Sequence, residues 1–131
     1  EIHEGGCLCG AVRYVARGKP IHVNLCHCRM CLKATGAPVS AWATFPSARV
    51  TFTEAPTLRR SSAIARRGFC AACGSALTWN GDARPDLIDL SVGTLDRPEL
   101  VAPQDHLWTE SAVPWLRIDD ALPRFPRSRG G

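Results

Sequence analysis

The arrangement of the seven cysteines constrains this chain more than any other feature of its sequence. They fall into three groups with short internal spacings, and no cysteine lies outside these groups. Such spacings are typical of metal sites, and an odd number of thiols argues against a framework of disulfide bonds. The groups are a C-x-C pair, a cluster of three and a C-x-x-C pair: Cys7 and Cys9; Cys26, Cys28 and Cys31; Cys70 and Cys73.

The number of thiols predicts two zinc ions with different surroundings. Thiolates are soft ligands that select zinc, iron–sulfur clusters or copper(I). A structural zinc ion takes four protein ligands, whereas a catalytic one keeps a position open. Because Cys26, Cys28 and Cys31 are close in sequence, they can share one ion with little loop-closure entropy, which makes theirs the open site. The closed, structural site then joins the pair on one face of the first predicted strand to the C-x-x-C pair: Cys7, Cys9, Cys70 and Cys73.

A histidine that supplied a fourth ligand would close the open site. His27 stands between two ligands in an extended segment, so its ring should point away from the metal. We expect each histidine to make structural hydrogen bonds rather than to bind metal. The candidates are His3, His22, His27 and His106.

Three thiolates would leave the open zinc site formally anionic, so that it is a weaker Lewis acid than a three-histidine zinc site. Such a site can still bind a thiolate from a substrate and lower the pKa of that thiol. The pattern therefore favours thiol chemistry over peptide or ester hydrolysis. Arg29 and Lys33 lie nearby in sequence, either to offset the negative charge and hold a substrate carboxylate or simply as solvated surface residues.

Length and charge place the chain among small single-domain proteins. It has 131 residues and a net charge of +4 that comes mainly from arginine. We expect one domain over residues 1–125 and a mobile tail over 126–131, because the end of the chain is rich in Pro, Arg, Ser and Gly. No apolar run is long enough to span a bilayer and the start shows no signal-peptide pattern, which predicts a cytoplasmic protein without membrane contact.

Short runs of alternating hydrophobicity, punctuated by Gly and Pro, predict a mainly β domain. In the run 21–26, alternation places His22, Asn24 and Cys26 on the side of the open site, opposite the apolar residues. His22 is therefore a candidate to line a substrate pocket, and Trp42, in the middle of the predicted strand 39–45, is either a second candidate or a core residue. The predicted elements are strands over 7–15, 21–26, 39–45, 48–52, 75–79, 87–92 and 106–108, a strand–turn–strand edge over 57–68, and a short irregular or helical segment over 32–38.

Several motifs, in the same order, resemble the glutathione-dependent formaldehyde-activating enzyme family along nearly the whole chain. Arg29 and Leu32 differ from the residues common at those positions in the family. The motifs are Gly5-Gly6-Cys7-Leu8-Cys9-Gly10, Cys26-His27-Cys28-x-x-Cys31-x-Lys33, Phe69-Cys70-x-x-Cys73-Gly74, Gly93-Thr94-Leu95-Asp96, His106-Leu107-Trp108 and Pro114-Trp115.

The resemblance implies a β-tent fold, in which short antiparallel sheets are pinned by zinc. It also implies an enzyme that condenses formaldehyde with glutathione to S-hydroxymethylglutathione, classed in reverse as a carbon–sulfur lyase. Its partners would be a glutathione-like thiol and a small aldehyde. The family's closed zinc site corresponds to Cys7, Cys9, Cys70 and Cys73, and its catalytic zinc site to Cys26, Cys28 and Cys31.

Two other functions are compatible with the sequence. A β domain held together by zinc, without catalysis, could bind a nucleic acid or a protein through the arginine-rich run from Arg59-Arg60 to Arg66-Arg67. The alternative for this run is a solvated edge strand. A redox protein could use Cys70 and Cys73, although zinc would occupy those sulfur atoms. We expect nucleic acid not to be the partner.

Overall fold

The structure, a computed structural model, describes residues 1–130. It is mainly β, as the sequence predicts, with one short helix, α1 (Arg29–Thr35), among the described residues. Short 3-10 turns cover Ser47–Arg49, Val92–Thr94, Pro98–Leu100 and Thr109–Ser111. The strands are β1 (Ile2–Gly6), β2 (Arg13–Arg17), β3 (His22–Cys26), β4 (Ser40–Pro46), β5 (Val50–Phe52), β6 (Thr57–Arg60), β7 (Ala65–Phe69), β8 (Ala76–Gly81), β9 (Leu87–Ser91) and β10 (Asp105–Leu107).

The strands form two sheets. A three-stranded sheet has the order β1-β2-β5, and a seven-stranded sheet has the order β10-β3-β4-β9-β8-β7-β6. Neighbouring strands run antiparallel except β10 and β3, which are parallel, so the expectation of purely antiparallel sheets needs this one correction. Strands β6 and β7 form the edge predicted over 57–68, and the order explains why β6 is the exposed outer strand.

The core lies between the two sheets, and the site lies on the other face of the larger one. In β4, Ala43 and Phe45 are fully buried in the core, whereas Trp42 and Thr44 point to the opposite face because side chains alternate along a strand. Residues directly opposite in paired strands share a face. The register therefore aligns one row across β7, β8, β9 and β4 on the outer face: Arg67, Trp79, Asp89 and Thr44.

The predicted strand over 7–15 is wrong in its first half, where the chain turns instead. The Cys7 N–H donates to the Val12 carbonyl at 2.9 Å, and the Gly10 N–H donates to the Cys7 carbonyl at 3.2 Å. Gly10 adopts a φ of +84°, which a glycine reaches without the strain that a Cβ brings. Cys7 and Cys9 therefore lie in the tight loop between β1 and β2 and not on one face of a strand.

Other element boundaries differ less. The helix begins at Arg29, three residues before the predicted segment 32–38, and so includes Cys31. It ends where Gly36, with a φ of +72°, donates its N–H to the Leu32 carbonyl at 2.7 Å. The first half of the predicted strand 48–52 is a 3-10 turn, and the last predicted strand begins at Asp105 and excludes Trp108, whose φ is +58°.

The segment predicted as a mobile tail makes contacts with the preceding residues. The Trp108 N–H donates to the Arg127 carbonyl at 3.0 Å, and Arg129 Nε bonds to Asp105 at 2.7 Å. Residue 131 of this tail lies outside the described residues, and the mobility of the tail stays a prediction, as does the domain boundary at 125. No helix among the described residues has the length and hydropathy that a membrane-spanning segment requires.

Candidate functional site

The structure brings the four predicted structural cysteines into one cluster. The sulfur atoms of Cys7, Cys9, Cys70 and Cys73 all lie within 4.8 Å of one another. Cys7 Sγ and Cys9 Sγ are 3.6 Å apart, and Cys9 Sγ and Cys70 Sγ are 3.8 Å apart. A tetrahedral zinc ion with Zn–S bonds of about 2.3 Å places its sulfur ligands about 3.8 Å apart. This donor set therefore fits a metal ion that joins the β1–β2 loop to the β7–β8 loop.

Hydrogen bonds shape the second loop of this cluster. The Gly74 N–H donates to the Cys70 carbonyl at 2.7 Å, and the Cys70 N–H donates to the Ser75 carbonyl at 3.1 Å. The Ser75 hydroxyl lies 3.2 Å from Cys73 Sγ and lowers the pKa of that thiol to about 5. The Val12 N–H, 3.3 Å from Cys7 Sγ, likewise lowers the pKa of Cys7. Both contacts favour the thiolate form, which is the form that binds metal.

The other three cysteines line a cavity of about 190 Å³ on the outer face of the larger sheet. Its walls are largely aromatic and apolar. Asn24 lines it, as alternation in the run 21–26 predicts, and the candidate Trp42 lines it too, whereas His22 does not. The lining residues are Asn24, Cys26, Cys28, Cys31, Trp42, Trp79, Asp89, Leu107 and Trp108.

Two of these thiols are in direct contact. Cys26 Sγ donates to Cys31 Sγ at 3.5 Å, and both residues are buried. Over residues 1–130, the four-cysteine cluster is the only group of three or more potential ligands within 4.8 Å of one another. The three cavity cysteines do not form such a group, so Cys28 Sγ lies more than 4.8 Å from at least one of the other two sulfur atoms. All three thiols thus face one cavity, and their joint binding of an ion stays a prediction.

Arg67 supplies the positive charge beside the cavity thiols, for which Arg29 and Lys33 were the candidates in the sequence. Its Nη2 donates to Cys31 Sγ at 3.4 Å, and its guanidinium carbon lies 5.9 Å from the centre of the Trp42 ring. The hydrogen bond from Cys26, with the contact and charge of Arg67, lowers the pKa of Cys31 to about 5 in spite of burial. Arg29 and Lys33 are exposed outside the cavity, and Arg29 Nε donates to the Ser111 carbonyl at 2.6 Å.

Asp89 is the acidic group of the cavity, and the sequence analysis missed it. It is half-buried, and the Thr44 hydroxyl donates to its Oδ1 at 2.5 Å. Burial raises the pKa of Asp89, the Thr44 hydrogen bond opposes this shift, and the negative charge of Cys31 adds to it. The signal in the sequence was a single charged residue within the apolar run Leu87-Ile88-Asp89-Leu90.

Comparisons with known proteins show the family of the chain. The family model described as glutathione-dependent formaldehyde-activating enzyme matches residues 2–111. The chain belongs to the glutathione-dependent formaldehyde-activating enzyme family. A member from Halomonas elongata, named for this family, is 30% identical over 128 residues, which cover 88% of this chain and 80% of that protein.

Two further proteins are similar to this member of the formaldehyde-activating family. A Schizosaccharomyces pombe protein, named as an uncharacterized lyase, is 32% identical over 75 residues, or 57% of this chain and 55% of that protein. A crystal structure of a Rhodobacter sphaeroides protein superposes with a TM-score of 0.56 at 18% identity, covering 93% of this chain and 98% of the other. At this identity, the similarity to the Rhodobacter sphaeroides protein shows a shared fold alone.

Among the described residues, each of the four histidines forms a hydrogen bond with another side chain. His27 Nε2 bonds to His106 Nδ1 at 2.9 Å, and His106 Nε2 bonds to Asp120 at 2.9 Å. His22 Nε2 bonds to Asp105 at 3.1 Å. His3 Nε2 bonds to a carboxylate oxygen of Glu1 at 2.6 Å. None of the four lines the cavity.

The arginine-rich run does not form a continuous basic surface. Arg67 turns inward to Cys31, and Arg60 pairs with Asp82 at 2.8 Å. Arg59 and Arg66 remain exposed on the edge strands. This arrangement gives the nucleic-acid alternative no support beyond charge. The sulfur atoms of Cys70 and Cys73, the candidate redox pair, are both in the four-cysteine cluster.

Proposed function

We propose that this protein is a zinc-dependent enzyme that joins a glutathione-like thiol to a small aldehyde, with the reverse reaction that of a carbon–sulfur lyase. The observation that carries the proposal is the cavity in which Cys26, Cys28 and Cys31 meet an aromatic wall and one carboxyl group. Family membership supports the choice of glutathione and formaldehyde as substrates. The seven free thiols suit a reducing compartment such as the cytoplasm.

We assign two zinc ions to the chain. Cys7, Cys9, Cys70 and Cys73 would hold the structural ion, and Cys26, Cys28 and Cys31 would hold the second. An ion at the second site would bind the thiolate of the substrate and lower the pKa of that thiol. The donor sets support both assignments, because they contain sulfur ligands only.

The residues of the chain itself contribute binding, water exclusion and charge. Trp42, Trp79 and Trp108 form apolar walls that displace water, and a volume of about 190 Å³ favours a small aldehyde. The guanidinium of Arg67 places a positive charge beside the cysteine thiolates, which stabilises several negative charges in one place. Together these groups would hold a thiol and a carbonyl in a dry, confined space.

The proposed activity can be tested with glutathione and formaldehyde. We expect purified zinc-loaded protein to accelerate their interconversion with S-hydroxymethylglutathione, measured by NMR exchange spectroscopy against the uncatalysed rate. Cys26→Ser should lose the acceleration, because it removes one of the two contacting thiols. A wild-type protein with two zinc ions and no acceleration would contradict the proposal.

Cys28→Ser should remove one zinc ion and leave the fold intact. Cys28 is half-buried at the cavity and immediately precedes α1, where a serine fits without a steric clash. We expect elemental analysis to give two zinc ions per chain for the wild type and about one for the variant, with the native circular dichroism spectrum retained and an unfolding midpoint lowered by the loss of one bound ion. Unchanged zinc content would exclude Cys28 as a ligand.

A further inference from the structure

Asp89 occupies a place in the sheet from which its side chain lines the cavity of the three cysteines. The register sets it directly opposite Thr44 on β4 and Trp79 on β8, on the same face as both. The Thr44 hydroxyl donates to Oδ1 and fixes the carboxyl group. Among the described residues, Oδ2 has no hydrogen-bond partner, and the residue lines the cavity with the three cysteines.

The charge environment of Asp89 differs from that of most other aspartates. No Lys, Arg or His nitrogen of the described residues forms an ion pair with it, whereas five others each have a cationic or histidine partner. Arg67 lies in the same row two strands away, and its guanidinium is directed to Cys31 instead. An unpaired carboxyl in an apolar cavity is a functional candidate rather than a stabilising feature. The paired aspartates are Asp82, Asp86, Asp96, Asp105 and Asp120.

Asn24 provides a second unpartnered polar atom in the same cavity. Its side chain is only 6% exposed, and its Oδ1 is buried without a hydrogen-bond partner in the described residues. A buried acceptor without a partner is costly unless a ligand satisfies it. The cavity thus offers one carboxyl group and one amide oxygen, which together match the needs of a hydroxyl group: a proton source and an acceptor for the O–H.

We propose that Asp89 is a catalytic acid–base residue that exchanges a proton with the oxygen of the aldehyde, and that Asn24 accepts a hydrogen bond from the resulting hydroxyl. This inference rests on the proposed function. Burial keeps the carboxyl group protonated more readily than a surface aspartate, which suits a proton donor. Without such a donor the oxygen would carry a full negative charge in an apolar space.

The proton balance of the step is simple. The thiolate sulfur attacks the carbonyl carbon, so that a C–S bond forms and the C=O π bond breaks to place an electron pair on oxygen. Asp89 gives its proton to this oxygen, and the proton that the thiol released to solvent returns to the carboxylate. In the reverse direction Asp89 removes the hydroxyl proton as the C–S bond breaks. No oxidant or reductant is required.

The variant Asp89→Asn tests this role, because it keeps the shape of the side chain and cannot deliver a proton. With glutathione and formaldehyde as probes, we expect its rate of adduct interconversion in NMR exchange to fall about 100-fold or more, since positioned acids and bases contribute about 10²–10⁴-fold. Zinc content and glutathione binding should stay unchanged. Asp86→Asn, which loses only an exposed ion pair to Arg84, is the matched control and should keep the wild-type rate.

The outcomes separate this inference from the proposed function. If the wild type does not accelerate the reaction, the proposed function and the role of Asp89 both fail. If the wild type is active and Asp89→Asn is equally active, only the role of Asp89 fails. Loss of one zinc ion from Asp89→Asn would identify a metal ligand instead and overturn the proton-transfer role. If the variant does not fold, the wild type in D2O decides: proton transfer in the catalysed step predicts that the catalysed rate falls by a larger factor from H2O to D2O than the spontaneous rate does, and an equal factor would overturn the role.

Discussion

Replacement of Cys73 by serine should abolish the cooperative fold of this protein at 37 °C. Within the β1–β2 loop only the ligand Cys7 and Val12 are buried, and Leu8 at its tip is 90% exposed. Structural zinc sites contribute about 10–16 kcal/mol of binding free energy, whereas a domain is stable by only about 5–15 kcal/mol in total. Loss of the structural ion, once its fourth ligand is removed, therefore costs free energy of the same size as the whole stability of the domain. Near-ultraviolet circular dichroism and amide NMR dispersion measure the effect.

Cys28→Ser is the control for this experiment, because it also removes one thiol but belongs to the cavity. We expect Cys28→Ser to keep the native spectrum and Cys73→Ser to lose both the spectrum and the structural zinc ion. Chelation of the wild-type protein should reproduce the unfolded spectrum if the four-cysteine cluster holds the sheets together. A Cys73→Ser protein with the wild-type unfolding midpoint would show that the cluster has no structural ion.

The grouping of four cysteines into one cluster could be predicted from the sequence because it follows from counting and spacing. Seven thiols in groups of two, three and two permit few divisions, and the structure brings together the four that the sequence paired. The local conformation around Cys7 and Cys9 could not be predicted from the sequence. The run from Cys7 to Val12 alternates like a strand, but the positive φ of Gly10 and the Cys7–Val12 hydrogen bond turn the chain.

The polar residues of the cavity could not be placed from the sequence because they meet through pairing between distant strands. Arg67 contacts Cys31 across 36 positions, and Thr44 contacts Asp89 across 45. A one-residue change of register would move each side chain to the other face of the sheet. The basic run suggested an exposed surface because composition alone does not reveal that Arg66 and Arg67 face opposite sides of β7.

The histidine partners show the same limitation. His22 was expected near the cavity because alternation put it on the same strand face as Cys26, and that reasoning about the face was sound. Its ring is nevertheless drawn to Asp105, 83 positions away, near the end of the sheet where β10 adds in parallel. Strand alternation fixes the face of a residue, whereas its position along the strand and the partner of its side chain decide whether it lines the site.

Phe45→Ala should cost about 3–5 kcal/mol of unfolding free energy, the usual effect of removing a buried aromatic ring. Phe45 is 0% exposed, pairs with Ile88 across β4 and β9, and packs 6.0 Å from the His3 ring of the smaller sheet. It therefore couples the two sheets on the face opposite Trp42 and Thr44. Urea denaturation followed by circular dichroism gives the free energy directly, at equal zinc content of the proteins compared.

Trp115→Ala is the matched aromatic control, because Trp115 is 71% exposed and should change the unfolding free energy by no more than about 0.5 kcal/mol. The difference between the two variants isolates the core between the sheets from the general effect of losing an aromatic ring. Equal losses in both variants, or a loss under about 1 kcal/mol for Phe45→Ala, would mean that metal binding alone holds the sheets together. The larger loss for Phe45→Ala would instead show that the core between the sheets contributes to stability in addition to the metal.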